Sequence, residues 1–328
     1  MTALVVSWIP FHGRSEGLAR ALRAQTLWTP WAKSGQPRSR TILGWVRSGV
    51  VTVARVARLP RGSVVVVMVP PVFALVAVLL VALPKRLRVV ADIHSAALNA
   101  QGWAWSHPLL FRALKRCELV LVTNAELVEG LDLGDVPVLV LHDPTDELDP
   151  SAVGELPPLP EGRIAVFPAS GADDEPVEQL AAAAALLEGE VTVVITGRRP
   201  GVAPGPGLLL PGFLPDAQFN ALMVRADVVL ALTTREATMQ RAGYEALALR
   251  KPLVCSGTAV LRSFFGDAAV YTDHEPADLA AAVRRAVEQG PALVAAGETV
   301  RAQQAEQLVV AVRAIRPDLV DAASDATV

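Results

Sequence analysis

Short apolar runs of strand length alternate with helix-length stretches along almost the whole chain, and this rhythm restricts the fold more than any other feature. The runs ALVVSWI (3–9), SVVVVMV (63–69), LRVVADI (87–93), ELVLVT (118–123) and PVLVL (137–141) are apolar at most positions. RIAVFPA (163–169), VTVVIT (191–196) and DVVLALT (227–233) repeat the pattern later. Strands apolar along their length, rather than at every second position, are buried on both faces, as in a parallel sheet covered by helices. Shorter strands are expected at 26–29, 208–211, 252–255 and 269–272. Helices are expected at 15–24, 39–58, 71–82, 106–117, 125–130, 175–187, 216–225, 239–249, 259–265 and 276–289, with a last one over 291–315. The fold class is therefore α/β, with doubly wound, Rossmann-like parallel sheets.

With 328 residues the chain is long enough for two such domains. The alternation is interrupted once, at DPTDELDPSAVGELPPLPEG (143–162), a segment dense in proline and acids that reads as a linker. The expected domains are 1–150 and 151–328, with the last helix free to cross back to the first. Ligands of doubly wound sheets bind outside the carboxyl ends of the strands, so the chemistry is expected on the loops there, in a cleft between two such domains.

One stretch, SVVVVMVPPVFALVAVLLVALPKR, is long and apolar enough to suggest a membrane span. Pro70-Pro71 breaks it, because proline interrupts a helical ladder and restricts the residue before it. It reads as a buried strand followed by a helix whose outer face is able to touch lipid. The N-terminus MTALVVSWIPFHG has no basic segment or cleavage site of a secretory signal, so a cytoplasmic location is expected. Cys117 and Cys255 lie in apolar contexts and read as reduced core thiols.

Net charge is only −3, but it is unevenly spread: residues 1–90 hold thirteen Arg and Lys against Glu16 alone, a net +12 that leaves −15 for the remainder. A basic first domain implies an anionic partner. It carries no nucleic-acid motif and its aromatics are scattered, so nucleic acid is not expected. An anionic bilayer or phosphorylated lipid fits better, since each Arg or Lys gains about 1 kcal/mol near such a surface. The expected state is a cytoplasmic protein peripheral to the membrane.

The segment TTREATMQRAGYEALALRKPLVCSGT (233–258) follows an apolar strand and runs into a helix. A helix start near Thr238, Met239, Gln240 and Arg241 offers free N–H groups and a positive dipole end, which suit a diphosphate. Glu236 and Glu245 flank that start. The segment resembles the donor-binding motif of retaining glycosyltransferases of family 4, in which two acids bracket the helix start and EA-x-A-x-G-x-P-V follows. Here it reads E-ATMQRAGY-EALALRKPLV. The resemblance is strongest over 163–290 and implies a two-domain GT-B fold, a nucleoside-diphosphate-sugar donor and transfer with retention. It gives Glu236 the sugar hydroxyls and Glu245 the ribose. Two departures stand: eight residues separate the acids where seven are usual, and Arg250 replaces a common glycine.

The resemblance extends to other loops. The family has an Arg and a Lys after the first strand of the second domain, but that loop here is PASGADDEP, without a base. Arg198 and Arg199 after the next strand are the expected substitutes, while Ser170 contributes hydroxyl and backbone. Gly212-Phe213-Leu214-Pro215 resembles the base-binding loop, leaving uridine and guanosine both open. Asp173 and Asp174 precede Glu175-Pro176 and read as a helix start rather than a metal pair, so no metal ion and no cofactor is expected. In the first domain, Gly13 permits close backbone approach and Arg14 offers a bidentate partner for phosphate. His94, at a strand end matching a family histidine, faces the donor sugar by this likeness. Asp92 either orients its ring or acts as base toward the acceptor. The acceptor is expected to be a saccharide or a lipid-linked group, in polysaccharide or glycolipid synthesis. A sugar-nucleotide epimerase and a non-catalytic relative binding lipid or a partner enzyme are the alternatives.

Overall fold

In the computed structural model, residues 1–9, 13–30, 38–99, 101–129, 131–143, 148–197 and 201–319 are described. The chain divides into two compact units, one of Met1–Pro144 with Gln304–Val328, the other of Thr145–Gln303.

The first unit runs β1 (Ala3–Ser7), α1 (Gly13–Ala21), β2 (Gln25–Trp28), α2 (Arg38–Ala57), β3 (Val64–Val69) and α3 (Val72–Lys85). It continues with β4 (Arg88–Ile93), α4 (Ser95–Asn99), α5 (His107–Leu114), β5 (Leu119–Val122) and β6 (Val138–Val140). Its six strands pair in parallel in the order β2-β1-β3-β4-β5-β6. Every residue of β1 and β3 is buried. One face of the sheet packs under α2, α3 and α5 through Val56, Leu75, Val78 and Leu114. The other packs under Leu18 and Leu22 at α1.

The second unit contains β7 (Arg163–Pro168), α6 (Val177–Leu186), β8 (Val191–Thr196), β9 (Leu208–Gly212), α7 (Asp216–Arg225) and β10 (Val228–Ala231). It goes on through α8 (Arg241–Ala248), β11 (Leu253–Ser256), α9 (Ala259–Phe265), β12 (Ala269–Thr272), α10 (Pro276–Glu288) and α11 (Gly290–Ile315). This sheet is also parallel and six-stranded, in the order β12-β11-β10-β7-β8-β9. The first half of α11 belongs to this unit, with Leu293 and Val300 in its cores. Past Gln303 the helix belongs to the first unit, where Ala311 and Ile315 join Val5, Leu18 and Val66. The α/β class and the two doubly wound parallel sheets are those the periodicity predicts.

The apolar stretch around Pro70-Pro71 resolves into β3 and α3, and no helix among the described residues is long and apolar enough to cross a membrane. Three expectations change locally. The helix expected at 125–130 is a single 3-10 turn, Ala125–Leu127, held by Asn124 accepting from the Leu127 N–H. The helix expected at 106–117 is confined to α5 and preceded by α4 and a 3-10 turn at Gln101–Ser106 that the pattern does not announce. The proline-rich segment is not loose throughout: the Gly154 N–H donates to Ala217 O at 2.9 Å and Asn220 Nδ2 to Ala152 O at 2.9 Å, fastening it to α7. Both cysteines are buried, and burial pushes the Cys117 thiol up to about 12 and that of Cys255 up as well.

Gly197, at the carboxyl end of β8, has φ +109, and a Cβ there would lie 2.1 Å from Ala169 O. Both the sign of φ and the contact with backbone require glycine. Gly197→Ala is expected to destabilise the second unit by about 2–3 kcal/mol, read as a fall in the urea midpoint at unchanged slope.

Candidate functional site

The loops following β7, β8 and β9 meet the start of α8 around a cavity of about 340 Å³. Its walls are of two kinds. Phe167, Pro168, Ala169, Phe213, Leu214 and Phe219 are its apolar lining. Ser170, Glu175, Thr196, Asp216, Gln240, Arg241 and Glu245 are its polar lining. The cavity opens at the carboxyl edge of the sheet because β7 and β8 beneath it are buried along most of their length and place polar groups at their ends. Gly197 and Gly212, with φ +109 and +77, turn the chain sharply after β8 and β9, and the Gly197 N–H donates to Gly212 O at 2.9 Å.

Five of the residues singled out from the sequence line this one cavity: Ser170, Phe213, Gln240, Arg241 and Glu245. Glu245 is a quarter exposed and accepts from Arg241 Nε at 2.8 Å, one helical turn away. Gln240 is the residue before α8; its side chain makes no cap hydrogen bond, and its carbonyl accepts from the Gly243 N–H at 3.0 Å. Gly212 stands at the end of β9 beside the wall residue Phe213. Thr238 bonds Glu236 O through Oγ1 at 3.2 Å, and Met239 packs on the core. Neither they nor Gly212 line the cavity. Arg198 and Arg199 lie outside the described residues.

Glu236 parts company with Glu245. It is not among the wall residues, and its Oε2 accepts from the Ala259 N–H at 3.2 Å, at the first turn of α9. A carboxylate there complements the positive end of a helix. The residue that follows, Ala237, has φ +51, an uncommon conformation for alanine. Arg250, where the resembling family has glycine, also has a left-handed φ, +53, and pairs with Glu298 at 2.8 Å.

The base-free loop after β7 holds an acid of its own. The Ser170 N–H, the Ser170 hydroxyl and the Gly171 N–H all donate to the Glu175 carboxylate, at 2.7, 2.8 and 3.0 Å. Three donors converging on one anion form the kind of nest that takes phosphate oxygens elsewhere. Asp173 and Asp174 are tied to Arg235, and Asp174 also accepts from the Thr233 hydroxyl.

In the first unit the carboxyl ends of β4, β5 and β6 carry a polar cluster. Arg14 is fully buried, with Nε 2.9 Å and Nη2 2.8 Å from Asp92 Oδ1, and Nη1 donating to Leu141 O and Asp143. This corrects two expectations. Arg14 is enclosed and committed to protein oxygens, so it is not presented as a phosphate clamp. Asp92 is not a base toward the acceptor: although burial opposes it, the Arg14 guanidinium and His94 hold its carboxyl well below the usual carboxylate range. The other role expected of Asp92 fits the geometry, with His94 Nε2 at 3.3 Å from its Oδ2. Gly13 is the first residue of α1, and Pro10, Phe11 and His12 lie outside the described residues.

His142, directly after β6, is a cluster member that the sequence reading missed. It is buried beside Arg14 and Asp143; burial and the Arg14 charge lower it to about 4. Its only sequence signal is its place after an apolar run, HD following VPVLVL, which matches His94 after LRVVADI.

The sequence matches no protein-family model and no curated protein. Solved structures do match. HepE from Anabaena in complex with UDP-glucose aligns with TM-score 0.70 and 15% identity over 98% of this chain and 100% of that one. The trehalose-6-phosphate synthase OtsA aligns with TM-score 0.70 and 14% identity over 96% and 99%. The N-terminal domain of trehalose-6-phosphate phosphatase from Candida albicans aligns with TM-score 0.66 and 9% identity over 95% and 96%. The fold is therefore GT-B.

Lowering a histidine means that the unfolded chain binds a proton that the folded chain refuses between the ordinary value, near ~6.5, and the folded one. Stability therefore falls with acidification through that window. Wild type is expected to lose about 2–3 kcal/mol between neutral pH and pH about 4 on account of His142. His142→Asn is expected to remove this part of the slope, as measured by urea unfolding across the pH range.

Proposed function

We propose that the chain is a glycosyltransferase whose second unit binds a nucleoside-diphosphate sugar in the cavity beside α8. The observation that carries this reading is that Phe213, Leu214 and Phe219 line the same cavity as Gln240, Arg241 and Glu245. A nucleobase is flat and apolar on its faces, a ribose presents a hydroxyl pair, and a diphosphate needs cations and N–H groups. In this reading the base lies against the Phe213 loop, and Glu245 accepts from the ribose hydroxyls. The diphosphate lies toward Arg241 and the start of α8. A UDP-sugar is the donor proposed first, because HepE is described with UDP and with UDP-glucose.

Transfer is proposed to retain the anomeric configuration, with the leaving phosphate accepting the acceptor's proton on the same face and no metal ion required. Catalysis is then mostly positioning and stabilisation of the leaving group's charge. The acceptor is proposed to be a saccharide or lipid-linked group in polysaccharide or glycolipid synthesis, at the cytoplasmic side. Glu175 has a defined part in this scheme. Its carboxylate occupies the Ser170–Gly171 nest, and an incoming phosphate must either displace it or bind without those donors.

A panel of nucleoside diphosphates and their sugars read by thermal shift tests the donor, since a ligand that binds only the folded state raises Tm. UDP or GDP is expected to raise Tm, and Glu245→Ala to weaken that binding about tenfold or more at unchanged Tm of the free protein. His94→Ala is expected to lower turnover while leaving nucleotide affinity within about twofold. If both variants kept full activity and affinity, the site would be wrongly assigned. Glu175→Gln, which removes the competing charge, is expected to tighten binding of the nucleoside diphosphate several-fold; unchanged or weaker binding would exclude the displacement step.

A further inference from the structure

Amphipathic helices of soluble domains turn their apolar stripe inward and their polar side to water. Helix α2 departs from this. Its inward side includes Ser48, whose hydroxyl donates to Thr29 O at 2.9 Å, and Thr52, which accepts from Trp8 Nε1 at 2.9 Å. Its outward side, one position per turn, carries Leu43, Val46, Val50 and Ala54, with Leu43 69% and Val50 64% exposed. Helix α3, packed beside α2 over the same face of the sheet, repeats the arrangement with Leu80, 70% exposed, and Leu83. Before α5, Trp105 is exposed while its ring lies 6.0 Å from Phe73 at the start of α3. Single exposed apolar residues are ordinary; a stripe on each of two neighbouring helices is the mark of a surface that meets something apolar.

Charge identifies what it meets. No Asp or Glu occurs between Glu16 and Asp92, or between Asp92 and Glu118, so α2, α3, α4 and α5 carry no acid at all. Arg47 is exposed along the outward side of α2, with Arg58 and Arg61 exposed just after α2 and Arg86 just after α3. A face that meets a mixed-charge protein, or its own copy about a two-fold axis, carries acids of its own to match the partner's cations, and this face carries none. A face combining outward aliphatic side chains, a Trp and cations of one sign suits a layer that is apolar below and anionic above.

We propose that the outer face of α2 and α3 docks the protein on an anionic phospholipid bilayer, with α2 lying in the interface plane. Leu43, Val46, Val50 and Leu80 enter the acyl boundary, and Arg47 and Arg58 pair with headgroup phosphates. The inference does not rest on the donor site, because vesicle binding is measured without nucleotide.

The test is co-sedimentation of the full chain with phosphatidylcholine vesicles with and without phosphatidylglycerol, at low and high salt. The variants are the pairs Leu43→Gln with Val50→Gln and Arg47→Gln with Arg58→Gln. Wild type is expected to bind the anionic vesicles and to release them as salt is raised. The aliphatic pair is expected to lose about tenfold in partitioning at both salt concentrations. The arginine pair is expected to lose about tenfold at low salt and little at high salt. Because all four side chains are exposed, or lie on the exposed side, Tm is expected to hold. Absence of binding to anionic vesicles overturns the proposal, as does equal binding to neutral ones. So does partitioning that neither pair alters, or a solution dimer that the aliphatic pair dissociates.

Discussion

Each central strand of this protein is closed over on both faces. All of β3 and β1 is buried, and β10 and β11 in the second unit are the same. A strand in that position has no side on which to carry a polar group without leaving it unsatisfied, so polar chemistry is driven to the strand ends. The result is visible residue by residue. Asp92 is the one charged residue within β4 that is buried, and it lies near the carboxyl end with Arg14 delivered to it by α1. Thr196, Thr233 and Ser256 appear at or just after the ends of β8, β10 and β11. The location of both polar clusters follows from this constraint before any ligand is considered.

The two edges use the constraint differently. In the first unit the cluster is largely satisfied from within: a buried guanidinium is matched by Asp92, Asp143 and a backbone carbonyl, which offsets the heavy desolvation cost of the charge. Its role is to fix the loops and the His94 ring. In the second unit the strand-end loops stand apart around a cavity, and the groups there are bound to each other weakly enough to be exchanged. Arg241 with Glu245 and the nest with Glu175 are pairs at or near the surface, which contribute little to stability and are easily replaced by a ligand's own charges. An edge built of exchangeable pairs is suited to binding, and one built of buried pairs to holding a shape.

The sequence carried the architecture because buried parallel strands write themselves as continuous apolar runs, and SVVVVMV or VTVVIT admits few other readings. It also drew Phe213, Gln240, Arg241 and Glu245 toward one another, since all lie at strand ends or at a helix start. It misread Arg14 and Asp92, which sit 78 residues apart and neutralise each other across the sheet. A loop arginine in a string of letters looks available, and only the pairing shows that it is committed. The fate of Glu236 turns on backbone: the left-handed φ at Ala237 accompanies a carboxylate directed to the α9 helix start, and no spacing rule reports a dihedral angle. The outward stripe of α2 was hidden for a similar reason, because a helix with apolar residues on both sides does not reveal which side the sheet will claim.

The central claim is that the loops around α8 form the nucleotide site. Hydrogen–deuterium exchange with and without saturating UDP or GDP measures this directly. The account predicts that the protection gained in the second unit falls on segments 167–171, 196–197, 213–219 and 240–245, which supply the walls of the cavity. Protection centred on other elements of that unit, or no change with any nucleoside diphosphate, would contradict it.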